Sequence, residues 1–124
     1  MQKAVQRFSV IEPMLMPRDA HAFDDACSHF CMAKPTKYDV IWKEKKIAGA
    51  AQRKTKQGFL HQGTISLIPP NIDMLQQMLK PGTEVLRAMQ TYTHALLEKG
   101  ASLKEIKGAK NFLAKELVAH LSRR

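Results

Sequence analysis

The sequence predicts an α+β fold, in which an antiparallel sheet built on a three-stranded meander packs against C-terminal helices. Residues 38–42 alternate well enough for a strand, and polar turns separate them from two further predicted strands over 46–53 and 59–68. After two prolines at 69–70, the apolar residues recur at helical spacing. The length of 124 residues suits one hydrophobic core, so we expect residues 1–124 to form a single domain.

The first third of the chain has a weaker pattern. Residues 8–11 approach Pro13, and a following proline favours extended backbone, so we predict a short extended segment there. Residues 19–30 are predicted to form a helix with Asp19 as its N-cap. Polar turns at 43–45 and 57–58 then join the strands of the meander.

Three helices are predicted in the C-terminal half. The first covers residues 72–79, and a Pro-Gly pair at 81–82 separates it from a longer amphipathic helix that begins at Thr83 and ends at Gly100. The last helix begins after Ser102, which stands three residues before Glu105 with the spacing of a capping box.

The second strand of the meander contains the segment that is most informative for function. Residues 46–52 read Lys-Ile-Ala-Gly-Ala-Ala-Gln, a basic stretch follows, and residues 61–63 read His-Gln-Gly. A lysine followed by small residues can bring its ammonium group to a ligand carbonyl or phosphate, because glycine and alanine let the backbone approach closely. The segment therefore predicts a binding crevice.

These two motifs resemble the signature of the lipoate-protein ligases and octanoyltransferases, which reads Lys-Ile-Ala-Gly-Ser-Ala-Gln, a basic stretch, and then His-His-Gly or Gln-His-Gly. The resemblance covers residues 30–68. It implies transfer of an octanoyl or lipoyl group to a lysine of a carrier domain. The implied partners are a lipoyl carrier domain or an acyl carrier protein. No tightly bound cofactor is implied, and ATP is a substrate if the chain is a ligase.

The resemblance also implies which residues act. Lys46 matches the lysine that contacts the activated acyl carbonyl or the adenylate phosphate, where a fixed cation stabilises developing charge. Cys31 precedes Pro35 with the spacing of the Cys-Phe-x-x-Pro segment in cysteine-dependent octanoyltransferases, whose thiol carries the acyl group as a thioester. We therefore predict Lys46 and Cys31 as catalytic residues. The predicted substrate-binding residues are Gly49, Ala50, Gln52, His61, Gly63 and Thr64.

Each of the three reactive side chains also has a plain structural alternative. Lys46 can be one of several solvated lysines on a strand. Cys31 can be a buried, inert cysteine. His61 can be a core histidine beside a glycine that marks a bulge.

The family's catalytic domain is longer, and its N-terminal half carries an Arg-Arg-x-x-Gly-Gly-Gly motif that helps to form the acyl pocket. No Gly-Gly pair occurs in this chain. We therefore expect residues 1–124 to correspond to the C-terminal part of that domain, as a fragment or as a subunit that a partner completes. That partner is a complementing N-terminal-half chain or a second copy added by strand pairing. The alternative function is a non-catalytic binding subunit or remnant.

Charge and composition bear on the remaining classes of function. The net charge is +9, from 20 basic and 11 acidic residues, which attracts anionic partners. The basic residues are scattered over strands and helices, so nucleic-acid binding is the less favoured class.

Cys27, His29 and Cys31 do not have the spacing of zinc ligands, and no metal site is predicted. The two cysteines and the lack of an apolar span or signal pattern predict a cytoplasmic protein that does not bind membranes.

Overall fold

A computed structural model of the chain describes residues 1–122 and has α+β architecture, which confirms the predicted fold class. Within these residues, four strands form one sheet and are accompanied by five α-helices. In chain order the elements are α1 (Gln2–Phe8), β1 (Met14–Leu15), α2 (Asp25–Ser28), β2 (Val40–Trp42), β3 (Lys45–Thr55), β4 (Gly58–Ile65), α3 (Ile72–Met78), α4 (Val85–Tyr92) and α5 (Leu103–Leu121).

The strands lie in the order β1-β2-β3-β4, and each neighbouring pair is antiparallel. Strands β2, β3 and β4 form the predicted meander. Among residues 1–122 the sheet has four strands and not only the three of the meander, because β1 pairs with β2 and places Met14 opposite Ile41 and Leu15 opposite Val40. A strand of two residues is too short to show an alternating pattern in the sequence.

The predicted extended segment over 8–11 is wrong, and a helix that was not predicted precedes it. Helix α1 ends at Phe8, so residues 8–11 do not form a strand, and β1 begins only after Pro13. Ala4 and Val5 of α1 are completely buried. Burial of these side chains favours the helix, whereas the proline constrains only the residue just before it.

Helix α2 is shorter than the predicted helix over 19–30 and begins at a different aspartate. Asp24 is its N-cap, since Oδ1 of Asp24 accepts a hydrogen bond of 2.9 Å from the backbone N–H of Cys27. The carboxylate of Asp19 instead accepts a hydrogen bond of 2.8 Å from the backbone N–H of Lys37. The prediction of Asp19 as the cap is wrong because a long-range partner takes its carboxylate.

Two of the three C-terminal helices agree with the prediction. Helix α3 begins at Ile72, and α5 begins directly after Ser102, whose hydroxyl accepts a hydrogen bond of 3.2 Å from the backbone N–H of Glu105. No helix within residues 1–122 has the length and the apolar character needed to cross a lipid bilayer.

The predicted helix from Thr83 to Gly100 is longer than the observed α4, which ends at Tyr92. The chain then leaves the helix because its backbone bonds to the sheet, and the N–H of His94 donates to the carbonyl oxygen of Lys46 at 2.9 Å. The amphipathic pattern continues past this point in the sequence, so the local pattern does not reveal where the helix ends.

The buried side chains form two separate clusters. The helical cluster joins α2 and α4 and contains Cys27, Ala33, Val85, Ala88 and Met89. The sheet cluster joins α1 to the sheet and contains Val5, Val40, Ile47 and Ala48. The chemistry described below lies on β3, next to the sheet cluster.

Asp24 links the first turns of two helices and makes stability depend on pH. Its Oδ2 accepts a hydrogen bond of 2.8 Å from the backbone N–H of Glu84, in addition to the one from Cys27. The N–H of Glu84 and then Cys27 hold the pKa of the Asp24 carboxyl below its ordinary value. Because the pKa is lower in the folded state, the stabilisation is present above the unfolded-state pKa of about 3.9 and is lost as pH falls through the folded-state value.

We therefore expect Asp24→Ala to destabilise the protein more at pH 7 than at an acidic pH below the folded-state pKa, where the wild-type carboxyl has lost the charge that stabilises the two helix starts. Urea unfolding of both proteins at the two pH values measures the difference. If Asp24→Ala lowers the free energy of unfolding equally at both pH values, the charged carboxylate does not stabilise the two helix starts.

Candidate active site

Lys46 is a buried lysine at the start of β3. Its side chain is 8% exposed, and Nζ lies 2.9 Å from Oδ2 of Asp39, whose side chain is 7% exposed. Nζ also donates a hydrogen bond of 3.2 Å to the backbone carbonyl oxygen of Cys31. The alternative that Lys46 is a solvated surface lysine is therefore excluded.

Asp39 is fixed from its own side by a tight turn. Its Oδ2 accepts hydrogen bonds from the backbone N–H of Thr36 at 2.8 Å and from the Thr36 hydroxyl at 3.3 Å. The backbone N–H of Asp39 donates in return to the carbonyl oxygen of Thr36 at 3.0 Å. The carboxylate that positions the lysine is thus held rigidly just before β2.

An irregularity in the sheet directs Lys46 toward Gly49. Val40 lies opposite Ala48, whereas the next residue of β2, Ile41, lies opposite Lys46, so β3 has one extra residue here. Strict alternation would place residues 46 and 49 on opposite faces, and the extra residue brings them to the same face.

Gly49 leaves room for this ion pair. A Cβ at Gly49 would lie 2.5 Å from Oδ1 of Asp39 and 2.8 Å from Cε of Lys46, which are impossible contacts. The side chains of Lys46 and Asp39 therefore occupy the space above the glycine.

A cavity of about 370 Å³ opens above this ion pair. It combines a cation, a carboxylate, a thiol and hydroxyl groups with small residues of β3 and β4. Its lining residues are Cys31, Thr36, Asp39, Lys46, Gly49, Ala50, Ala51, Gln62, Gly63 and Thr64.

Most residues predicted from the sequence meet in this cavity, but two do not. Cys31, Lys46, Gly49, Ala50, Gly63 and Thr64 line it. Gln52 and His61 lie farther along the hairpin, where both are exposed and Nε2 of Gln52 is 3.1 Å from Nδ1 of His61. Because His61 is exposed, it is not a core histidine either.

The two cysteines have different environments. Cys27 is completely buried in the helical cluster, whereas Cys31 is exposed at the cavity. Burial, followed by the carboxylate of Asp24, raises the pKa of the Cys27 thiol. A protonated, buried thiol is a poor nucleophile, so Cys31 is the accessible cysteine of the pair.

Three residues that contribute to the site were not identified from the sequence. Asp39 and Thr36 form the turn described above, and His94 donates its backbone N–H to the carbonyl of Lys46. Burial, then the nearby Lys45 and Lys43, lower the pKa of the His94 imidazole. The only sequence signal for Asp39 is a carboxylate directly before the apolar strand β2, and His94 has no signal because it comes from a distant segment.

The sequence profile of the lipoyl protein ligase A/B catalytic domain matches residues 18–123, and the chain therefore belongs to this family. The match confirms the family that the two motifs indicated. It begins after α1 and β1, so these two elements precede the matched region. No curated protein and no solved structure matches the chain.

Proposed function

We propose that this protein transfers an octanoyl or lipoyl group to a lysine of a carrier domain. The observation that supports this proposal is the buried Lys46–Asp39 ion pair in a cavity that Cys31 also lines. Membership of the lipoyl protein ligase A/B family supports the class of reaction. The acyl donor is a carrier thioester in this proposal, because an exposed thiol lines the site.

Lys46 provides a fixed positive charge for the reacting carbonyl. An ammonium group has three N–H donors, and two of them point to Asp39 and to the carbonyl of Cys31. Within residues 1–122 the third has no hydrogen-bond partner and is available to a ligand oxygen. A donor that is positioned in advance stabilises the negative oxygen that forms when a nucleophile adds to the carbonyl.

Cys31 carries the acyl group between two exchange steps. Its thiolate attacks the donor thioester, the new thioester forms on Sγ of Cys31, and the donor thiol leaves with the proton that Cys31 gave up. The amine of the carrier lysine then attacks this thioester, an amide forms, and the Cys31 thiol is restored by the proton from the amine. Lys46 acts on the carbonyl oxygen in both steps.

Incubation with octanoyl-acyl carrier protein is expected to add one octanoyl group to the purified chain, measured as intact mass. Hydroxylamine should remove the group because it cleaves thioesters, and Cys31→Ser should not acquire it. Cys27→Ala is the matched control and should still be acylated, since Cys27 is buried away from the cavity.

An adduct that persists in Cys31→Ser would contradict the proposed role of Cys31. If no adduct forms with the thioester, incubation with octanoate and ATP tests the ligase reaction, in which Lys46 contacts the adenylate phosphate instead of a thioester carbonyl. Absence of product from both donors would favour a non-catalytic subunit.

One structural observation favours that second candidate. Strand β4 is last in the sheet order, so its outer edge has no neighbouring strand among residues 1–122. An unpaired edge can accept a strand from a complementing chain or from a second copy. A binding subunit would use this edge to complete the site of a partner chain.

A further inference from the structure

The outer part of the β3–β4 hairpin forms a two-stranded ribbon, defined here as residues 50–64. Every residue of the ribbon is exposed, on both faces and along the unpaired edge of β4. Two strands that pair only with each other are marginally stable in water unless something covers them. A ribbon of this length is therefore a candidate contact surface.

The ribbon has charge of a single sign. It contains Arg53, Lys54 and Lys56, and no acidic residue occurs anywhere in 45–72. A concentrated charge of one sign attracts an oppositely charged macromolecule and orients it during encounter. The expected occupant is acidic.

Large apolar side chains stand next to the ribbon's cations. Lys54 lies opposite Phe59 and Arg53 lies opposite Leu60, so each face presents one cation and one large apolar group. Phe59 is 65% exposed and Leu60 is 54% exposed. Exposed aromatic and aliphatic groups beside cations are typical of protein interfaces.

The ribbon leads directly from the cavity, because Ala51 and Gln62 line the cavity and belong to the same two strands. From Ala51 to Thr55 the strand rises by roughly 13 Å. A domain of about 80 residues has a radius of gyration of about 12 Å. A domain of that size on the ribbon therefore also reaches the cavity mouth.

We propose that the ribbon is the docking surface for the acidic carrier domain that receives the acyl group. This inference rests on the proposed function, since the carrier is the acceptor in that reaction. The cations of the ribbon attract the acidic surface of the carrier, Phe59 and Leu60 pack against it, and the acceptor lysine is then directed toward Cys31.

Binding of a fluorescently labelled lipoyl carrier domain to the full chain, followed by anisotropy, tests the proposal without requiring any transfer. Lys54→Glu with Lys56→Glu should weaken binding by about tenfold or more, and Phe59→Ser should weaken it further. The matched control is Lys104→Glu with Lys110→Glu on α5, which changes the net charge equally at exposed positions and should bind like the wild type.

The proposal fails if the ribbon variants bind the carrier like the wild type, and two other outcomes also overturn it. One is equal weakening by the ribbon and α5 variants, which would mean that net charge alone attracts the carrier. The other is tight binding of a duplex DNA or single-stranded RNA probe that depends on Lys54 and Lys56 while the carrier binds weakly or not at all, which would assign the ribbon to nucleic acid.

Acylation of Cys31 by the octanoyl thioester of a small thiol separates this inference from the proposed function. The ribbon variants should acquire the octanoyl group at the wild-type rate, because Lys54, Lys56 and Phe59 do not line the cavity. If carrier binding depends on the ribbon but Cys31 is never acylated, the docking surface stands and the transferase mechanism fails. If Cys31 is acylated and carrier binding ignores the ribbon, the docking surface fails alone.

Discussion

Asp39→Asn is expected to destabilise the protein by about 3–5 kcal/mol, since it leaves the ammonium of Lys46 buried without a charged partner. The asparagine can still accept the hydrogen bond from the backbone N–H of Thr36, so the turn before β2 is retained. A loss of this size is a large part of the roughly 5–15 kcal/mol that stabilises a typical domain. Urea unfolding followed by circular dichroism measures it.

The same ion pair predicts strong coupling between two substitutions. Lys46→Met leaves the carboxylate of Asp39 without its cation and should also destabilise the fold. The double variant with Asp39→Asn contains neither buried charge. Its loss in free energy of unfolding should therefore be smaller than the sum of the losses in the two single variants, by about 2 kcal/mol or more.

An exposed ion pair provides the comparison. Glu84 and Arg87 form a salt bridge on the surface of α4, and Glu84→Gln should cost no more than about 1 kcal/mol. If Asp39→Asn costs as little as this, or if the double variant shows simple additivity, then Lys46 and Asp39 do not depend on each other for stability.

The parts of the fold that the sequence predicts correctly are those with a long local pattern. The strands of the meander are separated by two turns and stopped by the prolines at 69–70, and α5 has both an apolar stripe and a cap in Ser102. The errors occur where distant contacts decide the structure. Helix α1 forms because Val5 packs into the sheet cluster, and α4 ends early because His94 bonds to β3.

In the candidate site as well, the residues within a local motif were predicted and those placed by distant contacts were not. Lys46 and Gly49 of the motif at 46–52 both belong to β3, and Lys46 bonds to the backbone carbonyl oxygen of Cys31, so the lysine, the glycine and the thiol line one cavity. Asp39 could not be assigned from the sequence, since its pairing with Lys46 depends on the extra residue in β3. Gln52 and His61 belong to the same motifs but lie farther along the hairpin than the cavity extends, which the linear sequence does not show.

Gly49→Ala is expected to slow acylation of Cys31 by about 100-fold, because misplacing a catalytic group by about 1 Å can cost that much in rate. The new methyl group would lie 2.5 Å from Oδ1 of Asp39 and 2.9 Å from Nζ of Lys46. Each side chain is the ion-pair partner of the other, so neither can move away without displacing the ammonium group from its place in the cavity. The rate of octanoyl addition, followed by intact mass, gives the effect.

Gly108→Ala is the matched control for this substitution. Gly108 lies inside α5, and a Cβ there meets nothing within 4 Å. The control variant should acquire the octanoyl group at the wild-type rate and should be more stable by about 0.5–1 kcal/mol, since alanine is favoured over glycine within helices. A folded Gly49→Ala protein that is acylated as fast as the wild type would mean that the position of the Lys46 ammonium does not limit the reaction, and the role assigned to Lys46 would be wrong.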